Sequence, residues 1–173
     1  MLRLRLILLL LAPLLCAAAP DPGNGPGPAH GTATGLPVPR FVSLRSDEVN
    51  VRAGPGFQYP INWIYQRKGM PVEIIGEFNV WRQILAPDGG TGWVHEATIR
   101  AWRGFYITAP RAPLRASPSP DATIVAYLSQ GVTGHLIRCT AQSDYCKAEA
   151  NLQTGYLDKN EFWGIFPNEA VSP

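Results

Sequence analysis

Two cysteines, Cys139 and Cys146, flank a six-residue tip, Thr140–Tyr145. If that tip joins two antiparallel strands, the flanking side chains face each other across the ladder, close enough for a disulfide. The same thiols with His135 form His-x3-Cys-x6-Cys, three ligands where a structural zinc wants four. A Cys–His nucleophile needs a free, activated thiol, and no cysteine stands at a helix start ahead of a histidine. Carboxylates are scattered. Asp47-Glu48 falls in a predicted turn, where solvated acids are the default, and spacing alone assigns no general acid–base pair. His95, at a predicted strand end, reads as structural, and no Gly-rich phosphate loop appears. The expectation is a non-enzyme without cofactor or metal.

The aromatic residues are the better lead. The chain has five Trp and six Tyr. Tyr59, Trp63 and Trp81 border a long loop, Gly54–Pro60, or the start of a strand, with Arg52 beside it. Flat apolar faces near a guanidinium suit sugars and short peptides, which bind by stacking plus a few hydrogen bonds. Arg52, Tyr59, Trp63 and Trp81 are therefore the candidate ligand-binding residues. Trp93 and Tyr156, beside aliphatics on short strands, read as core. The matching region further on, Pro118–Leu128, has only Tyr127, which favours the earlier region as the binding one.

These residues sit in a pattern that occurs twice. Val51-Arg52-Ala53-Gly54-Pro55-Gly56 returns 63 positions later as Leu114-Arg115-Ala116-Ser117-Pro118-Ser119, and Thr91-Gly92-Trp93-Val94 returns at the same offset as Thr154-Gly155-Tyr156-Leu157. Gly69 matches Gly131, and Trp81-Arg82-Gln83 matches Tyr145-Cys146-Lys147, at offsets one residue shorter and longer. A strand broken twice by the same Pro turn signals one small unit made twice. Short apolar runs separated by turns every eight to twelve residues, Asp88-Gly89 the sharpest, argue for an all-β barrel or sandwich. Expected strands include Phe41–Leu44, Val49–Val51, Ile61–Tyr65, Val72–Ile75, Trp81–Leu85 and Gly92–Val94, with a turn at Gly76–Asn79 and a short helical turn within Glu96–Arg100.

Apolar-Arg-Ala-x-Pro, a central Gly, an aromatic strand start and Gly-aromatic-aliphatic together resemble the bacterial SH3-like (SH3b) domains. The resemblance covers Phe41–Ile99 and Phe105–Phe166. It implies two tandem small SH3-like β-barrels, at 40–100 and 104–167, with a tail at 168–173. It departs from the pattern at Leu114, Ser117 and Tyr156. It further implies a non-catalytic module of the bacterial envelope whose partner is peptidoglycan, its stem peptides, or an envelope protein presenting an extended or proline-rich segment. Ala101–Gly104 is too short for a flexible linker, so the barrels should touch, with Trp102 near the join.

Residues 1–19 read as a secretory signal peptide: Arg3 and Arg5, the apolar run Leu6–Leu15, then small residues with cleavage after Ala18. Acylation of Cys16 is the alternative, and Leu15 in front of it argues against that. Ten apolar residues are too few to span a bilayer, which takes roughly 20. A periplasmic or secreted protein without stable membrane insertion follows. That compartment is oxidising, which favours the Cys139–Cys146 disulfide. Removing Arg3 and Arg5 takes the charge count from 15 Lys+Arg against 13 Asp+Glu to 13 against 13. Such neutrality argues against nucleic acid, which calls for a basic excess. Residues 20–39 hold many Pro and Gly and little to bury, and are expected to be a disordered tether.

Overall fold

The computed structural model describes residues 29–172. The expected signal peptide, with Cys16 and its cleavage site, lies outside the described residues.

Alternation of buried and exposed positions fixes the strands. Val49-Asn50-Val51 buries both valines and exposes Asn50 between them, the period of two that lets a strand face a core on one side. The first unit comprises β3 (Arg40–Leu44), β4 (Val49–Arg52), β5 (Ile61–Tyr65), β6 (Pro71–Phe78), β7 (Trp81–Leu85), β8 (Thr91–His95) and β9 (Ile99–Arg100), preceded by β1 (Ala29–His30) and β2 (Pro37–Val38). The second comprises β10 (Gly104–Ile107), β11 (Arg111–Arg115), β12 (Ile124–Ser129), β13 (Thr133–Cys139), β14 (Tyr145–Ala150), β15 (Gln153–Asp158) and β16 (Phe162–Trp163). The units form separate antiparallel sheets, ordered β5-β4-β8-β7-β6-β3-β9 and β12-β11-β15-β14-β13-β10-β16. In the first, β3 and β4 lie far apart in the sheet order, yet Leu44 and Val51 share one core with Val72, Ile84 and Val94. The sheet therefore curls onto itself around that core. The second does the same around Phe105, Leu114, Leu136 and Leu157.

The repeat is exact in its mechanics. Arg52 pairs with Trp93, and Arg115 with Tyr156, in matching registers, with a bulge just before each arginine. A Cβ on Gly92 would lie 2.5 Å from Val51 Cγ1 and 2.9 Å from the Arg52 carbonyl oxygen. On Gly155 it would meet Leu114 Cγ and the Arg115 carbonyl oxygen at 2.6 and 2.7 Å. The Thr-Gly-aromatic motif is thus a close approach of two strands that leaves no room for a side chain.

Three expectations are corrected. Of the expected tether, residues 20–28 lie outside the described residues and 29–39 are ordered: β1 pairs with β2, and the turn between them docks on Glu77. Composition misled because this segment is held by polar satisfaction rather than apolar burial. The Glu77 carboxylate accepts hydrogen bonds from the Ala33 and Thr34 N–H groups, the Thr34 hydroxyl and Arg40. Burial pushes Glu77 up, but those donors outweigh it and bring its pKa down to about 2. The tail also belongs to the fold. Val171 exchanges backbone hydrogen bonds with Cys139 and is buried in the second core. The turn expected at Gly76–Asn79 comes later, because a bulge between Ile74 and Gly76 carries β6 on to Phe78 and Asn79 takes the positive φ of 49°.

The barrels meet face to face. Ser43 is fully buried; its Oγ donates to the Trp102 carbonyl at 2.8 Å and accepts from the Gly104 N–H at 3.1 Å. A Cβ on Gly104 would fall 2.6 Å from the Gly69 carbonyl oxygen. Trp102 stacks on His135 at 4.6 Å, and the Arg100 guanidinium lies over the Trp102 ring at 4.3 Å. Phe41 of the first barrel packs on Trp163 and Phe166 of the second. Domains of about 60 residues are marginal alone, and this seam supplies burial that neither has by itself.

Candidate functional site

The long loop after β4 is held by the arginine that precedes it. Arg52 Nη1 donates to the carbonyls of Tyr59 at 2.8 Å and Phe57 at 3.2 Å. This tether turns Phe57 back over the barrel, where its ring meets Trp81 edge-on at 5.0 Å and lies nearly parallel to His95 at 5.8 Å. Phe57 is 69% exposed, whereas Trp81 is only 6% exposed. The aromatic group is therefore a platform: Trp81 is its floor and Phe57 its outward face.

Around it lies a recess of ≈ 100 Å³ lined by Glu48, Asn50, Arg52, Phe57, Trp81, His95 and Thr98. His95 caps the short 3-10 turn Glu96–Thr98, its Nδ1 accepting from the Ala97 N–H at 3.2 Å. An accepting Nδ1 leaves Nε2 as the donor of the neutral ring. The recess thus offers aromatic faces, a guanidinium and an imidazole N–H, which suits stacking with a few directed hydrogen bonds. Glu48 is the single carboxylate on its lining.

Of the four candidate residues, the structure brings Arg52 and Trp81 together. Tyr59 contributes its carbonyl to Arg52, while its ring lies over Gly54 and is 40% exposed. Trp63 is placed elsewhere. It pairs with the core residue Val51 and packs against the first core beside Tyr65. The Tyr65 hydroxyl donates to Asp88 Oδ1 at 2.9 Å, and burial together with that carboxylate pushes the phenol up to about 12. Trp63 and Tyr65 thus brace the Asp88 turn.

Phe57 and His95 escaped the sequence reading. His95 was within reach: a hairpin centred on Asp88-Gly89 puts Trp81 opposite His95, as the register confirms. Phe57 gives no such signal, since nothing in a Gly/Pro loop says which side chain lies back over the barrel. Trp93 and Tyr156 are also corrected. Their neighbours Gly92, Val94, Gly155 and Leu157 are buried, so both aromatics stand half-buried on outer faces.

The second barrel has no such platform. Sixty-three positions on, Phe57 becomes Pro120 and His95 becomes Asp158; Trp81 is replaced by Tyr145, which pairs with Asp158. Cys139 and Cys146 are joined by a disulfide, and His135 is stacked on Trp102. Among the described residues no three His, Cys, Asp or Glu side chains gather as for a metal, and no helix is long and apolar enough to cross a membrane.

The family model described as "Bacterial SH3 domain" matches the chain twice, over residues 45–101 and 108–164. No curated protein matches. Similar solved structures include NlpC2 from Trichomonas vaginalis, 12% identical with a TM-score of 0.33, covering 73% of this chain and 48% of that one. NlpC1 from the same organism is 12% identical with a TM-score of 0.32, covering 77% and 48%. The chain thus spans about half the length of these structures.

Proposed function

Because the chain belongs to the bacterial SH3 domain family through both of its barrels, we propose that it is a non-catalytic, exported binding module of the cell envelope that contacts peptidoglycan or its stem peptides through the first barrel. The observation that carries this reading is the exposed Phe57 face over Trp81 and His95, with Arg52 at its rim. A large aromatic side chain left in solvent over a second aromatic, on a loop clasped from behind by Arg52, suits a binding surface. Sugar rings stack on such a face, while Arg52 and His95 donate to hydroxyl or carbonyl oxygens.

A second reading is an adaptor for an extended protein segment. It is favoured by the edge strands β5 and β12, which expose Ile61 and Ile64 on one barrel and Val125 and Tyr127 on the other. An unpaired edge with apolar side chains can accept an added strand.

Co-sedimentation of the protein with purified sacculi separates the two. Wild type is expected to pellet with the sacculi, and Phe57→Ala, checked for an unchanged circular dichroism spectrum, to stay in the supernatant. Equal pelleting of both would reject the platform as the site. No pelleting of wild type would reject the wall as the direct ligand and leave the adaptor.

A further inference from the structure

The second barrel carries a feature that its partner lacks. The register β11-β15-β14-β13 aligns Arg115, Tyr156, Lys147 and Arg138 in one row across the sheet. In-register partners in antiparallel strands project from the same face. The corresponding row of the first barrel is Arg52, Trp93, Gln83 and Gly76. Two cations therefore replace a glutamine and a glycine at the same lattice points.

Arg138 and Lys147 sit directly opposite each other, a like-charge pairing that disfavours the strand pair. Among the described residues neither has a carboxylate within salt-bridge distance. They line a concavity of ≈ 580 Å³ with Tyr156, Pro118, Thr140 and Ser143, and its lining contains no acidic residue. That size lies within the ordinary range of ligand pockets, about 300–1,000 Å³. The next pair along the same ladder is Cys139 and Cys146, covalently joined. The disulfide thus clamps the two strands one residue from a pair of charges that would push them apart. A repulsion without a compensating carboxylate, held by a staple, breaks a local rule, and such breaks are expected at functional or strained sites.

We propose that this concavity is an anion site for a short peptide bearing a free carboxylate. The carboxylate lies between Arg138 and Lys147, which neutralise it. The backbone of the peptide crosses Tyr156 and Pro118, and the Thr140 and Ser143 hydroxyls can meet its polar groups. The Cys139–Cys146 bond is a positioning element for the cationic pair. The proposal uses a different barrel from the aromatic platform, so the failure of either site leaves the other standing.

The test is an NMR titration of the purified, oxidised protein with N-acetyl-alanyl-alanine, its C-terminal amide, and glycerol phosphate. The free-carboxylate peptide is expected to shift the amide signals of Arg138, Lys147 and Tyr156, with binding that weakens as salt rises. Arg138→Gln or Lys147→Gln, both on exposed side chains, should each weaken it about tenfold, while Lys147→Arg retains it. Reduction of the disulfide should weaken it with the fold kept, as judged by undisturbed signals of the second-barrel core residues Phe105, Leu114 and Leu157. Equal binding of the amide, shifts confined to the first barrel, or full binding by Arg138→Gln/Lys147→Gln would overturn the site. Tighter binding of glycerol phosphate than of the peptide would overturn the carboxylate assignment.

Discussion

Arg52 and Arg115 perform the same act 63 residues apart: each donates from Nη1 to a carbonyl seven residues on, Tyr59 at 2.8 Å and Ala122 at 3.2 Å. The arginine of the repeated Arg-Ala motif is thus first a loop clasp. In the first barrel the clasped loop also carries Phe57. Arg52→Ala is expected to lower stability by about 1–2 kcal/mol, the range for a hydrogen bond from a charged donor that is partly solvated. It should also release Phe57 from Trp81, seen as a gain in loop exchange in NMR relaxation. Arg115→Ala should show the stability loss without any effect on the platform.

Glycine at the strand crossing should be equally intolerant of change in both barrels. Gly92→Ala and Gly155→Ala each force a Cβ against an aliphatic side chain and a carbonyl oxygen. Overpacking of this kind costs about 1–3 kcal/mol. Chemical denaturation should find similar losses for the two variants; a loss for only one would mean that the crossings are not equivalent.

Acid should loosen the amino-terminal hairpin. The Glu77 carboxylate has its pKa lowered to about 2 in the fold, against an ordinary value near 4.5. A depressed carboxylate pKa contributes stability that is present above the unfolded value and lost as pH falls through the folded one. The hairpin's protection from hydrogen exchange should therefore fall between about pH 4.5 and 2. Glu77→Gln should show that loss already at neutral pH, with little further change across the same window.

Reduction of Cys139–Cys146 should lower stability by about 2–3 kcal/mol by the loop-entropy argument. The neighbouring like charges add a signature of their own. Part of the loss should return at about 1 M salt, where charges are screened beyond about 3 Å, and part in Lys147→Gln. A loss independent of salt would place the whole effect in chain entropy.

The seam gives a further expectation. Ser43→Ala removes both hydrogen bonds of the buried hydroxyl and leaves the Gly104 N–H only the Trp102 carbonyl at 3.2 Å, a cost of about 1–3 kcal/mol. Because the cost falls at the join, thermal unfolding should broaden or split toward two transitions. A sharp transition, merely shifted, would show that the aromatic contacts of Phe41 hold the barrels together unaided.

The architecture was largely legible in the chain because its signals are local and repeated. Asp88-Gly89 sets a hairpin, Pro55 and Pro118 end strands, and the same spacing of Gly92 and Gly155 marks the same crossing. The site was less legible because it depends on where a loop folds back. Arg52 and Trp81 could be chosen by type, but Trp63 faces the core through its pairing with Val51, which only the register reveals. The order of residues 29–39 was hidden for a different reason. Its cause is Glu77, forty-odd residues away, and composition is blind to a distant carboxylate that satisfies a turn. The row Arg138–Lys147–Tyr156 likewise exists only once three strands are aligned.

The buried Ser43 hydroxyl of the first barrel, bonded across the join to both Trp102 and Gly104, makes the two barrels behave as a caliper. Their outer faces are held at one separation and one orientation, so binding at one face presents the other at a fixed effective concentration. A polymer whose repeat matches that span gains avidity from both faces at once, and one whose repeat does not match gains none. Selectivity for spacing would then reside in a serine that touches no ligand.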